Sequence, residues 1–105
     1  MKRPPSLSSK RDFERVLRDG RKARTPCGTL SVAPGPDPDG PARLGLAVPA
    51  RVGGAVTRNR IKRRLRASFQ AAELPPGIDV VVRANRAATT LDFQELAETF
   101  AGVKR

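Results

Sequence analysis

Residues 58–66 form a strongly basic segment whose side chains suit one kind of chemistry. The segment holds no acidic residue, and its polar side chains are Arg58, Asn59, Arg60, Lys62, Arg63, Arg64 and Arg66. Guanidinium groups bind phosphate oxygens in bidentate fashion and stack on bases. An asparagine amide both donates and accepts, which suits a base edge or a 2′-hydroxyl. The segment therefore favours the binding of a nucleic acid, the alternative being a solvated basic surface.

The other residue types argue against catalysis by the chain alone. The sequence has no histidine, and Cys27 is its only cysteine. The usual general base, the common nucleophile pairs and the commonest metal ligand are therefore missing. One cysteine allows neither an internal disulfide nor a cysteine-based zinc site, and Cys27 is interpreted as a small, buried or half-buried side chain. We expect no catalytic residue and no metal site on the protein.

The positive charge is concentrated in two blocks. The 105 residues carry 21 Lys and Arg against 10 Asp and Glu, a net charge of +11. Residues 1–24 have a net charge of +6 and residues 50–72 of +7, whereas the rest of the chain is slightly acidic. A surface that serves only solubility intersperses the two signs, so this separation indicates a polyanionic partner. Such charge repels itself, and bound anions are expected to stabilise the isolated protein.

The pattern of apolar residues predicts that one long helix presents the basic segment. The helix is expected from residue 55 or 56 to residue 72, ahead of a Pro-Pro-Gly turn. Ile61, Leu65 and Phe69 recur every four residues and form its buried stripe. The residues expected on the opposite side are Asn59, Arg60, Arg63 and Arg66, with Lys62 and Arg64 flanking them and Arg58 near the stripe in the first turn. Like charges four residues apart repel, and basic residues near the helix start oppose its dipole. A bound polyanion would offset both costs.

The remaining elements are predicted from capping residues, alternation and turn signals. A first helix is expected over 10–19, capped by Ser9, and a last helix over 91–101, with Thr89 and Asp92 as its capping box. Strands are expected within 21–33, over 43–50 and over 78–84, the last buried on both faces. The segments 28–33 and 43–48 are interpreted as a hairpin with a long loop at 34–41.

These elements predict an α+β fold class. The expected architecture is a small two-layer sandwich with helices on a sheet, in the order α-β-β-β-α-β-α. Residues 1–8 are rich in Pro and Ser and are predicted to be a flexible segment, and 9–105 a single domain. No apolar run approaches the roughly 20 residues of a membrane span, and the N-terminus lacks the apolar stretch of a secretory signal. We therefore expect a soluble, cytoplasmic protein.

The segment GAVTRNRIKRRLR at 54–66 resembles the Arg-Asn-Arg helix of the bacterial ribonuclease P protein component. In that family the helix follows a Gly-x-Ala-Val turn and continues with Lys-Arg and a further Arg. The resemblance covers nearly the whole chain, because the Asp-Phe-x-x-Val-Leu-x-x-Gly stretch at 12–20, the strands at 43–48 and 79–82 and the final helix come in the family's order. It implies a protein subunit of an endoribonuclease whose RNA subunit carries the chemistry.

The resemblance also implies partners, a cofactor and a topology. The partners are the ribonuclease P RNA subunit, in a 1:1 complex with a protein monomer, and precursor tRNA, with no membrane. Mg²⁺ is the cofactor, used by the RNA subunit to cleave the 5′ leader. The fold is like the second domain of ribosomal protein S5, with a left-handed βαβ crossover where the general rule favours a right-handed one. The residues implied to bind the RNA subunit are Arg58, Asn59, Arg60, Lys62, Arg63 and Arg66.

A second set of residues is implied to bind the single-stranded leader, in a cleft between the first helix and the sheet. This set is Arg11, Phe13, Leu17, Ser31 and Arg51. The sequence departs from the family here: Leu17 replaces a common aromatic residue, Ser31 lies near a frequent Tyr, and Ala50-Arg51 replaces a Lys-Lys pair. Few side chains remain for base stacking, worth ~1–3 kcal/mol per base, so contact is expected to rest on backbone charge and Phe13. Phe13 could equally be a core residue that lines the cleft wall.

Other classes of protein share parts of this pattern. A general RNA-binding module, such as a ribosomal protein or an RNA chaperone, would have the same charge distribution. A DNA-binding protein could use 56–72 as a recognition helix, but no helix-turn-helix precedes that segment. A membrane-surface helix is disfavoured because the apolar stripe is narrow and matches a core face. A ribonuclease P protein is expected to stimulate leader removal at low Mg²⁺, and a general RNA-binding module is not.

Overall fold

The helices and strands alternate along the chain around a single sheet. The computed structural model describes residues 5–7, 9–90, 92–101 and 103. Within these residues the elements are α1 (Lys10–Asp19), β1 (Arg21–Thr25), β2 (Gly28–Pro34), β3 (Arg43–Ala47), α2 (Ala55–Ala72), β4 (Ile78–Ala84) and α3 (Phe93–Ala101). Two short 3-10 turns, Ala50–Val52 and Arg86–Thr89, precede α2 and α3. This content confirms the α+β class.

The four strands lie in the order β1-β2-β4-β3. β2 pairs antiparallel with β1 and with β4, and β3 pairs parallel with β4. The predicted hairpin of 28–33 with 43–48 is therefore wrong, because β4 lies between these two strands. Residues 80–82 are fully buried valines, and such a run takes a central place in the sheet, where both of its faces and both of its edges are covered. The β3–α2–β4 connection is the crossover for which the family resemblance predicts a left hand.

Helices cover both faces of the sheet, so the predicted two-layer arrangement is wrong. α2 and α3 pack on one face over a core that includes Leu30, Val80 and Val82. α1 packs on the other face, where Val16 contacts a second cluster formed with Ala33 and other residues. Alternate residues of a strand point to opposite faces, and those of β2 and β4 are largely apolar on both sides. The sheet therefore packs against helices on both faces, and α1 forms a third layer that covers part of one face.

Residues 5–7 are part of the fold. The Leu7 N–H donates to the Leu44 carbonyl and the Leu44 N–H to the Pro5 carbonyl, both at 2.9 Å, and Ser6 forms a parallel bridge with Leu44. Leu7 is buried. The prediction of a flexible segment at 1–8 is corrected for these three residues, because an apolar side chain and the unpaired outer edge of β3 hold them in place. Residues 1–4 and 8 lie outside the described residues.

Two of the three helices, α1 and α3, begin at side chains that cap them. The Ser9 hydroxyl accepts a 3.4 Å hydrogen bond from the Asp12 N–H and starts α1, which is confirmed at residues 10–19. The buried stripe of α2 is also confirmed. The capping box of α3 is formed by Asp92 and Glu95, whose side chains each accept from the other's N–H. Thr89 instead ends the preceding turn, and Leu91 lies outside the described residues.

A buried carboxylate ties α1 to the sheet. Asp79 of β4 is 1% exposed and accepts two hydrogen bonds of 2.8 Å from Arg43 of β3. Arg15 of α1 donates to the same carboxylate and also to the Pro34 carbonyl, the latter at 2.8 Å. Burial raises the pKa of Asp79, but the hydrogen bonds from Arg43 and Arg15 outweigh it and hold that pKa below its usual range. The Asp79 carboxylate thereby holds α1, β3 and β4 together.

Candidate nucleic-acid interface

The outer side of α2 carries the cations that the sequence predicted there. Asn59, Arg60 and Arg63 are exposed, and Arg58, Lys62 and Arg66 are half-buried. Leu65 and its stripe neighbours are buried on the opposite side. We call the side chains of Arg58, Asn59, Arg60, Lys62, Arg63 and Arg66 the α2 face. The helical period separates Asn59, Arg60, Arg63 and Arg66 from the core, whereas Arg58 lies near the buried stripe in the first turn of α2.

The cations of the α2 face are not neutralised within the described part of the chain. There the carboxylates form ion pairs with Lys10, Arg15, Arg18 and Arg43, and none reaches a cation of the α2 face. The Nε of Arg58 is buried, so this atom is closed to an outside ligand. The exposed groups of the face, on Asn59, Arg60 and Arg63, are the ones that acceptors such as phosphate oxygens can reach.

An open groove lies on the sheet face that α1 only partly covers. Its volume is about 960 Å³. We call it the sheet groove, and the residues that define it are Leu17 of α1, Lys22 and Arg24 of β1, Thr29 and Ser31 of β2, Arg83 of β4 and Arg51 of the turn before α2. No acidic residue lines it among the described residues. The groove thus presents four cations over a floor of small side chains.

Three of the predicted leader-binding residues meet in the sheet groove. Leu17, Ser31 and Arg51 all line it, although they come from a helix, a strand and a turn. Arg51 is exposed. Ser31 is 1% exposed, and its buried Oγ has no hydrogen-bond partner within the described residues. Ser31 therefore forms part of the floor rather than an exposed contact.

The other two predicted leader-binding residues lie elsewhere. Phe13 lines a smaller pocket of about 220 Å³, together with Lys62 and Arg66 of the α2 face. Its ring packs on Gly45 so closely that a Cβ at that position would be 2.8 Å from the ring. Phe13 is half-buried against the α1 core cluster, which fits the core interpretation, while its neighbours join it to the α2 face. Arg11 is exposed on α1 and lines neither pocket.

Three cations of the sheet groove were not identified from the sequence. Lys22 donates its Nζ to the Leu17 carbonyl at the end of α1, and Arg24 and Arg83 complete the basic lining. Arg83 lies in a strand predicted to be buried on both faces, yet it is exposed. The one charged residue in an otherwise apolar run of 80–84 is the signal that could have found it. The exposure of Arg83 depends on how far α1 extends over this face of the sheet.

The described residues hold no group of three or more His, Cys, Asp or Glu side chains that could ligate a metal ion. In the same part of the chain, no helix combines the length and the apolar character required to cross a membrane. The chemistry of both surfaces is therefore that of cations, amides and hydroxyls. Such groups bind phosphates and base edges, and they activate no nucleophile by themselves.

Comparisons with known proteins agree with this geometry. The Ribonuclease P family model matches residues 1–104. The chain is 38% identical over 107 residues to the ribonuclease P protein component of Shouchella clausii, covering 100% of this chain and 87% of the relative. It is 41% identical over 101 residues to that of Streptomyces avermitilis, covering 88% and 82%. The structure is similar to the RNase P protein from Thermotoga maritima, with a TM-score of 0.80, 26% identity and 95% and 96% coverage. The chain belongs to the ribonuclease P protein family.

Proposed function

We propose that this ribonuclease P protein component binds the catalytic RNA subunit through the α2 face and the 5′ leader of precursor tRNA through the sheet groove. It thereby assists the endonucleolytic removal of the leader that gives mature tRNA 5′ ends. The observation that carries the proposal is the set of cations on the α2 face without carboxylate partners in the described residues. A protein that binds two RNA segments at once needs two basic surfaces, and this chain has two.

The two surfaces are joined by the turn before α2. Arg51 lines the sheet groove and belongs to the turn Ala50–Val52, and α2 begins three residues later, at Ala55. Arg86 donates a 3.2 Å hydrogen bond to the Arg51 carbonyl and so holds this turn against the one that precedes α3. A fixed connection of this kind sets the leader and the RNA subunit at a constant distance. Positioning of the substrate is the contribution that we propose for the protein.

The chemistry of leader removal is proposed to belong to the RNA subunit. The sequence has no histidine, and the described residues hold no group of three or more His, Cys, Asp or Glu side chains that could ligate a metal ion. This donor set does not fit a protein-only Mg²⁺ site, and in this proposal Mg²⁺ acts on the RNA subunit. The protein's energetic contribution is the neutralisation of phosphates, which makes its RNA binding strongly salt-dependent. We propose a monomer in a 1:1 complex with the RNA in the cytoplasm.

A cleavage assay tests the proposal. Precursor tRNA is incubated with a bacterial ribonuclease P RNA at low Mg²⁺, with and without the protein. We expect the protein to stimulate cleavage, because it lowers the repulsion between the two RNAs that Mg²⁺ would otherwise screen. A variant with Arg58, Arg60 and Arg63 all changed to Ala should lose the stimulation. The α2 face would then be the surface through which the protein acts.

The matched control removes three exposed cations outside the α2 face, Lys10, Arg18 and Arg21, and lowers the net charge by the same amount. Lys10 pairs with Glu14 and Arg18 pairs with Asp19, so each of these positive charges is partly neutralised within the protein. This control should stimulate like the wild type. Equal loss in both variants would contradict a specific role of the α2 face. A folded protein that binds RNA tightly but gives no stimulation would be a general RNA-binding module.

A further inference from the structure

Arg83 is exposed near the end of the inner strand β4, which is an unusual place for a charge. On β4 the residues whose side chains lie on the α1 side are Asp79, Val81 and Arg83. Asp79 is 1% exposed and Val81 is fully buried, whereas Arg83 is exposed and lines the sheet groove. The cover of α1 therefore ends between residues 81 and 83. Arg83 rises from the floor of the groove at the point where the sheet becomes open.

The surroundings of Arg83 leave a flat, fixed area. Its register partners are Thr29 on β2 and Ala47 on β3, both with small side chains. Gly28 has a φ of +145°, and a Cβ there would be 2.0 Å from the Arg83 carbonyl, so β2 approaches this part of β4 too closely for any other residue. The backbone of Arg83 is thus held from both sides. Its guanidinium has no bulky neighbour across the strands.

Arg83 differs from the other cations of the groove in position. Arg24 lies on the edge strand β1, and Arg51 lies in a turn at the rim. Lys22 has no planar group and donates to a backbone carbonyl. No carboxylate pairs with Arg83 among the described residues, and no aromatic side chain lines the groove there. Arg83 is therefore the planar cation of the groove that comes from an inner strand of the sheet.

We propose that Arg83 is the platform on which one base of the 5′ leader stacks. Guanidinium planes stack on bases much as aromatic rings do, and they keep a positive charge for the adjoining phosphate. The inference rests on the proposed function, because it takes the leader as the occupant of the sheet groove. It assigns to a strand arginine the stacking that Leu17 and Ser31 cannot provide. One leader position should then favour a purine, whose larger ring gives stronger stacking.

The experiment measures the affinity of the assembled holoenzyme for precursor tRNA and for mature tRNA without a leader. Arg83→Lys keeps the charge but removes the plane. We expect it to weaken the binding of precursor tRNA about tenfold and to leave the binding of mature tRNA unchanged. Arg83→Phe restores a plane and should bind precursor tRNA more tightly than Arg83→Lys does. Arg21→Lys, on β1 outside the groove, is the matched control and should behave as the wild type.

A series of leaders with one abasic nucleotide each locates the stacked base. The wild type should lose affinity at one position, and Arg83→Lys should be insensitive at that same position. Two results would overturn the role of Arg83 alone: equal precursor affinity in Arg83→Lys and the wild type, or an abasic profile that is the same in both. A wild-type holoenzyme that binds precursor and mature tRNA equally would overturn the proposed leader contact as well. The abasic series on the wild type needs no variant to fold.

Discussion

Arg60 shows what a single cation of the α2 face should contribute. It is exposed and has no ion pair within the described residues, so its charge is available to a phosphate. Each phosphate contact releases bound counterions, and the logarithm of the affinity therefore falls with the logarithm of the salt concentration. Arg60→Ala should weaken binding of the RNA subunit and reduce the slope of that line by about one unit. Filter binding or anisotropy across a salt series measures both.

Arg18→Ala is the control for that measurement. Arg18 is equally a surface arginine, but it lies on α1 and donates to Asp19 at 3.1 Å. Its removal should leave the slope as it is in the wild type. If Arg60→Ala has the affinity and the slope of the wild type, Arg60 is not a phosphate contact.

At the residue scale, the sequence predicted what depends on local periodicity. The positions of Arg60 and Arg63 on the outer side of α2 follow from the helical repeat of three buried residues. Ser31 and Arg83 depend instead on which part of the sheet α1 covers, and that is decided by contacts between residues far apart in sequence. The family resemblance therefore implied a role for the buried Ser31, and no role was predicted for the exposed Arg83.

At the element scale, Asp79 holds α1 in the place where it bounds the sheet groove. The carboxylate is buried and accepts from Arg43 and Arg15, and Asp12 lies 3.5 Å from Arg15 and 3.7 Å from Arg43. Without the negative charge of Asp79, only Asp12 among the described residues offsets the repulsion between the guanidinium groups of Arg15 and Arg43. Asp79→Asn should therefore lower the free energy of unfolding by about 3 kcal/mol, as expected when one partner of a buried pair is lost. Urea denaturation at neutral pH measures the difference.

The difference in the free energy of unfolding between the wild type and Asp79→Asn should depend on pH, and the lowered pKa of Asp79 sets the direction of that dependence. The pKa of Asp79 is lowered in the folded state, so the native state favours the ionised form more than the unfolded chain does. The stability that this adds is complete above the unfolded pKa of about 3.9 and is lost as the pH falls through the folded pKa. The gap between wild type and Asp79→Asn should therefore narrow below about pH 4. A gap that stays constant down to pH 2 would contradict the role of the ionised carboxylate. Asp37→Asn, in an exposed loop, is the control.

The arrangement of the elements was harder to predict than the elements themselves. The bounds of α1, α2 and β4 follow from capping residues and apolar patterns close together in the sequence. The pairing of β3 with β4 rather than with β2 is a choice between partners of similar apolar character. Burial of residues 80–82 at the centre of the sheet decides which strands pair. The apolar pattern of a strand does not show which strands lie beside it.

At the scale of the whole molecule, the net charge of +11 acts against the compact state. Described cations of both basic blocks meet in the sheet groove, which Lys22 and Arg24 of the first block line together with Arg51 of the second. Folding therefore brings like charges closer than they are in the unfolded chain. The RNA partner supplies the opposite charge, and in its absence other anions can take that role in part.

Phosphate should therefore raise the melting temperature of the isolated protein more than chloride does at the same ionic strength. A ligand that binds only the folded state stabilises it by mass action, and about 1 kcal/mol corresponds to roughly 5 °C for a domain of this size. The variant with Arg58, Arg60 and Arg63 changed to Ala should melt higher than the wild type in chloride and gain less from phosphate. Circular dichroism melting curves in the two salts measure both effects. Equal shifts in phosphate and chloride would mean that the salt only screens repulsion, with no anion bound at the α2 face.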